Sequence, residues 1–481
     1  MKKLVNDIVN RLSVRNIEFG DVRFTSTDSE VFYFEKGELK SFSADLNNNA
    51  LGVRVLVDGA WGFCGINEFG ISAIDNAIDR AISNARHSAK FKRNKVKFPK
   101  LTPVITSYIH RPEIDPFILP REEKTQYLLN IAKSINDKHK SVVFNYLYVR
   151  FYRQYKVYAN TEGAFVDSLS YQVSPFFQVI TSDGNGVQRR TYPGDMSARV
   201  GGFEIVKNLD MEGNADRIIK EAVDLLNAPV IEEERADLIL GRGQLALQIH
   251  ESIGHATEAD RIFGMEISYA GKTFITPDMP GKFRYGSDKV NIVSDSSDMR
   301  GIGFSPVDDE GAPAGRFDII KNGILVGLQT SREIAPLLNL PVTSNMKAST
   351  GSQFPLIRMT NLNLLPGDAG SLADLIKSTA NGYFIDHTKS WSIDDNRNNF
   401  QFTTEIGWKI RDGEICGIVK EPTYYGITPQ FWGACDAVCG ESEWGYAGTF
   451  NCGKGEPGQD MHLSHGVAPA RFRNVVCNIK A

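Results

Sequence analysis

The chain has 481 residues, 42% of them hydrophobic and 23% charged, which is ordinary globular usage and excludes a disordered or fibrous class. Its length sets an expectation of about two to four domains. A net charge of −4 with no basic stripe gives no electrostatic basis for binding nucleic acid, and no apolar run reaches the ~18 residues of a membrane span.

The opening stretch MKKLVNDIVNRLSVRN breaks its apolar residues with charge and lacks a signal-peptide core, so a cytoplasmic protein is expected. A helix is expected over residues 4–14. VFYFEKGELKSFSA and GVRVLVDGAWGFCG follow, each with a glycine after a polar residue between alternating apolar positions, the local signature of a hairpin. Ile71, Ile74, Ile78 and Ile82 then recur at helical spacing.

Residues 90–103 are basic, contain prolines and lack periodicity, as a solvated linker or a strand-edge crossing does. A helix over residues 121–137 leads into an aromatic and β-branched run, broken at residues 160–163 and 183–186, that predicts an antiparallel meander. NADRIIKEAVDLLNAP, from Asn214, is an amphipathic helix ending before Pro229 and marks the clearest boundary.

Beyond it the composition turns to short strands and glycines, with hairpin signals at Asn322-Gly323 and Asp412-Gly413 and one prominent helical segment, GRGQLALQIHESIGH. The fold class expected is α+β. Residues 1–230 form a mixed domain with an antiparallel sheet, divisible at about 1–95 and 104–230, and residues 231–481 form a β-rich barrel or sandwich-like domain carrying that helix.

Its sequence continues as ALQIHESIGHATEAD, residues 246–260. Leu245, Ile249 and Ile253 define a buried stripe, with His250 and Glu251 beside it. Residues five apart on a regular α-helix differ by about 140° around the axis, so an undistorted helix cannot bring His250 and His255 to one ion. Two devices would: a π-bulge, or a helix that ends at Gly254 and lets His255 swing back. Neutral imidazoles suit a metal, and a neighbouring carboxylate, Glu251, suits a general base.

A catalytic zinc takes three protein ligands and keeps one position open. The other histidines, His87, His110, His139, His387, His462 and His465, compete for the third place with six cysteines: Cys64, Cys416, Cys435, Cys439, Cys452 and Cys477. These cysteines are too sparse for a disulfide framework, and Cys435 and Cys439 in CDAVC, at a helix-like spacing of four, lack the second pair of a zinc ribbon. The glycine-rich run GTFNCGKGEPGQDMHLSHGVAPARF is the most unusual context, but spacing alone does not separate Cys452 from His462 or His465.

The His250-Glu251-Ser-Ile-Gly-His255 pattern, FPLIRMTN at residues 354–361 and CGKGEPGQDMHLSHGVAPARF together resemble the TldD branch of the TldD/PmbA family, the "modulator of DNA gyrase" metallopeptidases. NTEG at residues 160–163 and GVRVLVDGAWGFC extend the resemblance over nearly the whole chain. It implies a zinc held by His250, His255 and Cys452 with Glu251 as general base, a pattern that the non-catalytic PmbA or TldE-type branch lacks. It further implies a dimer, with itself or with a TldE-type sister subunit, that cleaves unfolded peptides or the leader segments of ribosomally made ones. Glu258 and Asp260 are candidates for orienting a ligating imidazole. The competing expectation is a regulatory, protein-binding subunit whose metal site is structural or empty.

Overall fold

The computed structural model describes residues 1–136, 138–269 and 271–478. Four hairpins turn on Lys36-Gly37, Asp58-Gly59, Asn322-Gly323 and Asp412-Gly413, and in all four both central residues have positive φ. That is the turn whose twist matches two antiparallel strands, and it explains why a polar residue followed by glycine signals the hairpin.

The first two hairpins join Phe19–Glu35, Glu38–Val57 and Ala60–Ile66, and Phe19–Glu35 pairs on its other side with Val142–Asn160. Val142–Asn160 pairs in turn with Phe165–Ser182, so the expected meander is present as part of an eight-stranded sheet. One strand departs from the antiparallel expectation: Ile105–Ile109 lies parallel to Phe165–Ser182. Helices Lys2–Ser13 and Ile71–Ala89 bury Val5, Ile8, Leu12, Ile74 and Ile78 against one part of this sheet. Helices Arg121–Ser134 and Met211–Asn227 bury Leu128, Ile131, Ile218 and Ala222 against another. The expected end of the former, residue 137, lies outside the described residues. The basic segment 90–103 forms no strand and, after its first residue, no turn of α-helix, yet it is no free linker, because Val96 is buried with Phe19 and Leu56 and donates its N–H to the Gly59 carbonyl.

In the second half, Arg235–Leu240 runs parallel to Asn381–Ile393 and antiparallel to Ala470–Cys477. Ala470–Cys477 pairs with Thr423–Ile427, that strand with Asn399–Arg411, and the last returns to Asn381–Ile393. Five strands thus close into a barrel, which leaves no open edge among them. The chain is therefore α+β, strand-rich, with a barrel in its C-terminal half. CDAVC corrects its helix-like spacing: Cys435–Val438 is a strand against Ala470–Cys477, and burial pushes the Cys435 and Cys439 thiols up to about 12. No helix among the described residues is long and apolar enough to cross a membrane.

Helix Arg242–Ile249 follows the first barrel strand and is tied to the barrel by polar groups that burial obliges to pair. Gln244 Nε2 donates to the Tyr424 hydroxyl at 2.8 Å, Tyr424 donates to Gln248 Oε1 at 2.9 Å, and Thr388 donates to Gln244 Oε1 at 2.9 Å.

Candidate metal centre

Leu245, Ile249 and Ile253 are fully buried, as the apolar stripe predicts. After Ile249 the backbone takes one π-helical turn, His250–Gly254, and then a 3₁₀ turn, His255–Thr257. Of the two devices that would reconcile the five-residue spacing, this is the first: the wider turn absorbs one residue and returns both imidazoles to one side. Their ring centroids are 4.8 Å apart and nearly perpendicular. Gly254 does not end the helix, since its φ of −56° is helical. A side chain is excluded there by packing instead, because a Cβ would lie 2.1 Å from the sulfur of the buried Met359.

The third partner comes from the hairpin Gly445–Lys454 and Gln459–Val467, in which Cys452 sits opposite Met461 beside an irregular register. Cys452 Sγ lies 3.3 Å from His250 Nε2 and 3.5 Å from His255 Nε2, and one ligand atom from each of the three residues falls within 4.8 Å of the others. All three residues are buried. Donors of a tetrahedral zinc site stand about 3.5 Å apart between sulfur and nitrogen, so the two sulfur–nitrogen spacings found here suit such an ion.

Hydrogen bonding assigns the imidazole protons. The Leu362 carbonyl can only accept, so His465 Nδ1, 2.9 Å from it, carries hydrogen and its Nε2 a lone pair. That Nε2 lies 3.0 Å from His250 Nδ1 and accepts its proton, which leaves the lone pair of His250 Nε2 facing Cys452. His255 Nδ1 lies 3.0 Å from Glu258 Oε2 and 3.2 Å from Arg261 Nη2, and its Nε2 faces the same sulfur. His250 is held below the ordinary imidazole range chiefly by burial, so it is neutral at neutral pH, as a metal ligand must be.

The sulfur has its own counter-charge. Arg358, fully buried, donates from Nη2 to Cys452 Sγ at 2.9 Å and also bonds the Cys452 carbonyl. Burial alone would push the thiol up, but Arg358 and then His255 outweigh it and hold the thiol below its usual value, which favours thiolate. Behind the imidazoles, Glu258 is fully buried and held well below the carboxylate range: burial opposes ionisation, and Lys454, His255 and Arg261 overcome it. Arg261 Nε donates to Glu258 Oε2 at 2.9 Å, and Lys454 Nζ stands 3.2 Å from the same oxygen. Of the two acids expected to orient an imidazole, only Glu258 touches one; Asp260 binds Lys454 Nζ through both oxygens, at 2.9 and 2.8 Å.

Glu251 is the remaining polar group beside the three donors. Its Oε1 accepts from Trp391 Nε1 at 3.1 Å and its Oε2 from Arg397 Nη1 at 2.8 Å. Burial raises its carboxyl, yet His250, His255 and Arg397 together bring it below the usual range, so it is ionised at neutral pH. A cleft of about 1010 Å³ opens over these residues, walled on one side by the first sheet, with Tyr152 and Gln172 among its residues, and on the other by His250, Glu251, His255 and Cys452. His462 lines the cleft but does not join the donors: its Nδ1 bonds Gln172 Oε1 at 2.6 Å and its ring stacks on Phe450.

Sequence reasoning passed over Arg358, Lys454 and the part played by His465. Arg358 interrupts an apolar run and Lys454 stands between glycines, each a charged residue where a neutral one packs more cheaply, and that was the available signal.

Two buried imidazoles, a thiol biased to thiolate and a carboxylate thus meet on one cleft, a group that could hold a metal ion. The chain belongs to the PmbA/TldA metallopeptidase family: models of its domain 1, central domain and C-terminal domain match residues 20–85, 114–228 and 233–474. It is 27% identical to a metalloprotease of Methanothermobacter thermautotrophicus, over 96% of this chain and 95% of that one. It is 25% identical to a zinc metalloprotease TldD homolog of Saccharolobus solfataricus, over 93% and 94% of the two chains. Among solved structures, TldE from Thermococcus kodakarensis superposes with a TM-score of 0.74 at 18% identity, covering 99% of this chain and all of that one, which shows the shared fold.

Proposed function

We propose that this chain is a zinc-dependent peptidase of the TldD type, in which His250, His255 and Cys452 hold the metal and Glu251 is the general base. The observation that carries this reading is the convergence of two buried imidazole nitrogens on a thiol biased toward thiolate, at 3.3 and 3.5 Å, with the ionised Glu251 beside them. When bound, zinc supplies Lewis acidity, polarising a carbonyl and acidifying water. The chain's own residues do the rest. Glu251 takes the proton of the attacking water and passes it to the departing amine, while Trp391 and Arg397 hold both carboxylate oxygens in place. Glu258 and His465 fix the ring orientations of His255 and His250, and Arg358 stabilises the sulfur as thiolate.

The substrate class proposed is the unfolded peptide or peptide leader segment, laid in the cleft in extended form. The chain divides at about residue 230, so that the cleft lies where an N-terminal and a C-terminal domain meet. Pairing with a TldE-type sister subunit, or with a second copy, completes the proposal; likeness to TldE in fold supports it. The alternative, a regulatory subunit with a closed structural site, calls for a fourth protein ligand. His465 directs its free lone pair at His250 Nδ1, and among the described residues the metal-binding group stops at three, which supports the open, catalytic form.

The test is cleavage of an unfolded peptide by the zinc-loaded chain, alone and with a TldE-type subunit. Chelation is expected to abolish cleavage and added zinc to restore it; turnover that survives complete metal removal would overturn the proposal. Replacing His465 by Phe keeps an aromatic ring but removes the acceptor for His250 Nδ1. Zinc affinity, measured by competition with a chromophoric chelator, is expected to fall about 10- to 100-fold.

A further inference from the structure

Two cations in the cleft have no part in the chemistry above. Arg150, on Val142–Asn160, and Lys347, on Met346–Lys347, line the cavity that holds His250, Glu251 and Cys452. The neighbouring cleft cations are matched, Lys156 by Asp309 and Arg397 by Glu251. Arg150 and Lys347 meet no carboxylate at ion-pair distance among the described residues. Arg150 Nε bonds Ser29 Oγ at 3.1 Å and its guanidinium lies 5.6 Å from the centre of the Phe450 ring. Lys347 Nζ reaches only the Gly303 carbonyl, at 3.3 Å.

His462 connects the two positions. Its ring stacks on that same Phe450 at 4.0 Å, and it bonds Gln172, whose Nε2 donates to the carbonyl of Ile302, the residue before Gly303. Burial first, then the charges of Arg150 and Lys347, keep His462 well below the imidazole range, so the group between the two cations is neutral. Burial and the nearby Lys156 also push the Lys347 ammonium down to about 8, a cost that an arriving anion would relieve. Asp45, Asp195 and Asp460 also line the cleft as exposed residues, and among the described residues none of them stands at ion-pair distance from Arg150 or Lys347.

We propose that Arg150 and Lys347 form an anion subsite that anchors a carboxylate of the peptide, either its C-terminal carboxylate or an acidic side chain. This rests on the peptidase function proposed above and adds a substrate preference to it. Two charge-assisted contacts in a partly desolvated cleft discriminate an acid from its amide by about tenfold or more.

The experiment uses the zinc-loaded Glu251→Gln chain, so that binding is read without turnover, and three peptides of one neutral sequence labelled at the N-terminus. One has a free C-terminus, one a C-terminal amide, and one an amide with a single internal glutamate. Fluorescence anisotropy at low salt is expected to show at least one acid-bearing peptide binding about tenfold or more tighter than the neutral amide. Whichever acid-bearing peptide gains identifies the source of the carboxylate. The advantage is expected to be lost in Lys347→Met and in Arg150→Gln and retained in Lys347→Arg, with melting curves confirming that each variant is folded. Equal affinity for all three peptides, or an advantage that persists in both charge-removing variants, would overturn the subsite. Native chain run in parallel separates the two proposals: cleavage of the neutral amide together with equal binding sinks the subsite alone. Selective binding with no cleavage by the zinc-loaded native chain, either alone or with a TldE-type subunit, sinks the peptidase reading and leaves the anion subsite standing.

Discussion

Glu251→Gln is expected to lower peptide turnover about 100- to 10,000-fold while the zinc stays bound. Glutamine keeps the volume and one acceptor oxygen, so the bond from Trp391 Nε1 survives, but the amide can no longer take a proton at neutral pH. With that oxygen on Trp391, the substitution sets the NH₂ group against Arg397, which loses its charged contact at 2.8 Å. A melting curve must therefore accompany the rate, because removing one partner of a half-buried ion pair destabilises the fold. A folded, zinc-loaded variant with turnover near the native value would place the base elsewhere. A variant that has lost its zinc would show that Glu251 serves the metal rather than the proton.

Cys452→Ala is expected to empty the metal site. The loss should exceed the roughly 10- to 100-fold typical of residues that merely support ligands, because one of three donors disappears along with the only one that carries formal charge. The fold should survive. Arg358, deprived of the sulfur, still donates to the backbone carbonyl of residue 452 and to that of Gln459 at 3.1 Å. Elemental analysis of native and mutant chains, with thermal unfolding as the control, checks this directly. Zinc retained in stoichiometric amount by the mutant would move the third ligand to another residue.

Local chemistry was the legible part of this sequence. A polar residue before glycine announced each of four hairpins because that pair tolerates positive φ at both positions. The recurrence of Leu245, Ile249 and Ile253 announced the motif helix because burial of one stripe needs no knowledge of what covers it. The five-residue spacing of His250 and His255 narrowed the helix distortion to two forms, one of which is present. What stayed hidden depends on residues far apart in the chain. Barrel closure pairs Arg235–Leu240 with Ala470–Cys477, and nothing local in either strand names the other. Ile105–Ile109 follows a proline-containing basic stretch, and its parallel partner lies beyond an intervening helix and strand. Asp260 and Lys454 show the same limit at the site: an acid five residues from a candidate ligand reads as its support, whereas its partner in the fold stands 194 residues away. Cys435 and Cys439 stand at a spacing of four that fits a helix but is equally compatible with a short strand and the residue after it.

The distance between the donors along the chain has a mechanical consequence. Cys452 lies 202 residues from His250 and 197 from His255, and the terminal hairpin that carries it touches the motif helix through noncovalent packing. An ion shared by the three is thus a removable clasp across a loop nearly two hundred residues long, and long loops are those whose closure restrains the unfolded chain most. On the proposed function, loading the centre would do more than equip it for chemistry: it would tie the hairpin that carries Cys452 to the motif helix, and the folded chain would gain stability with the metal.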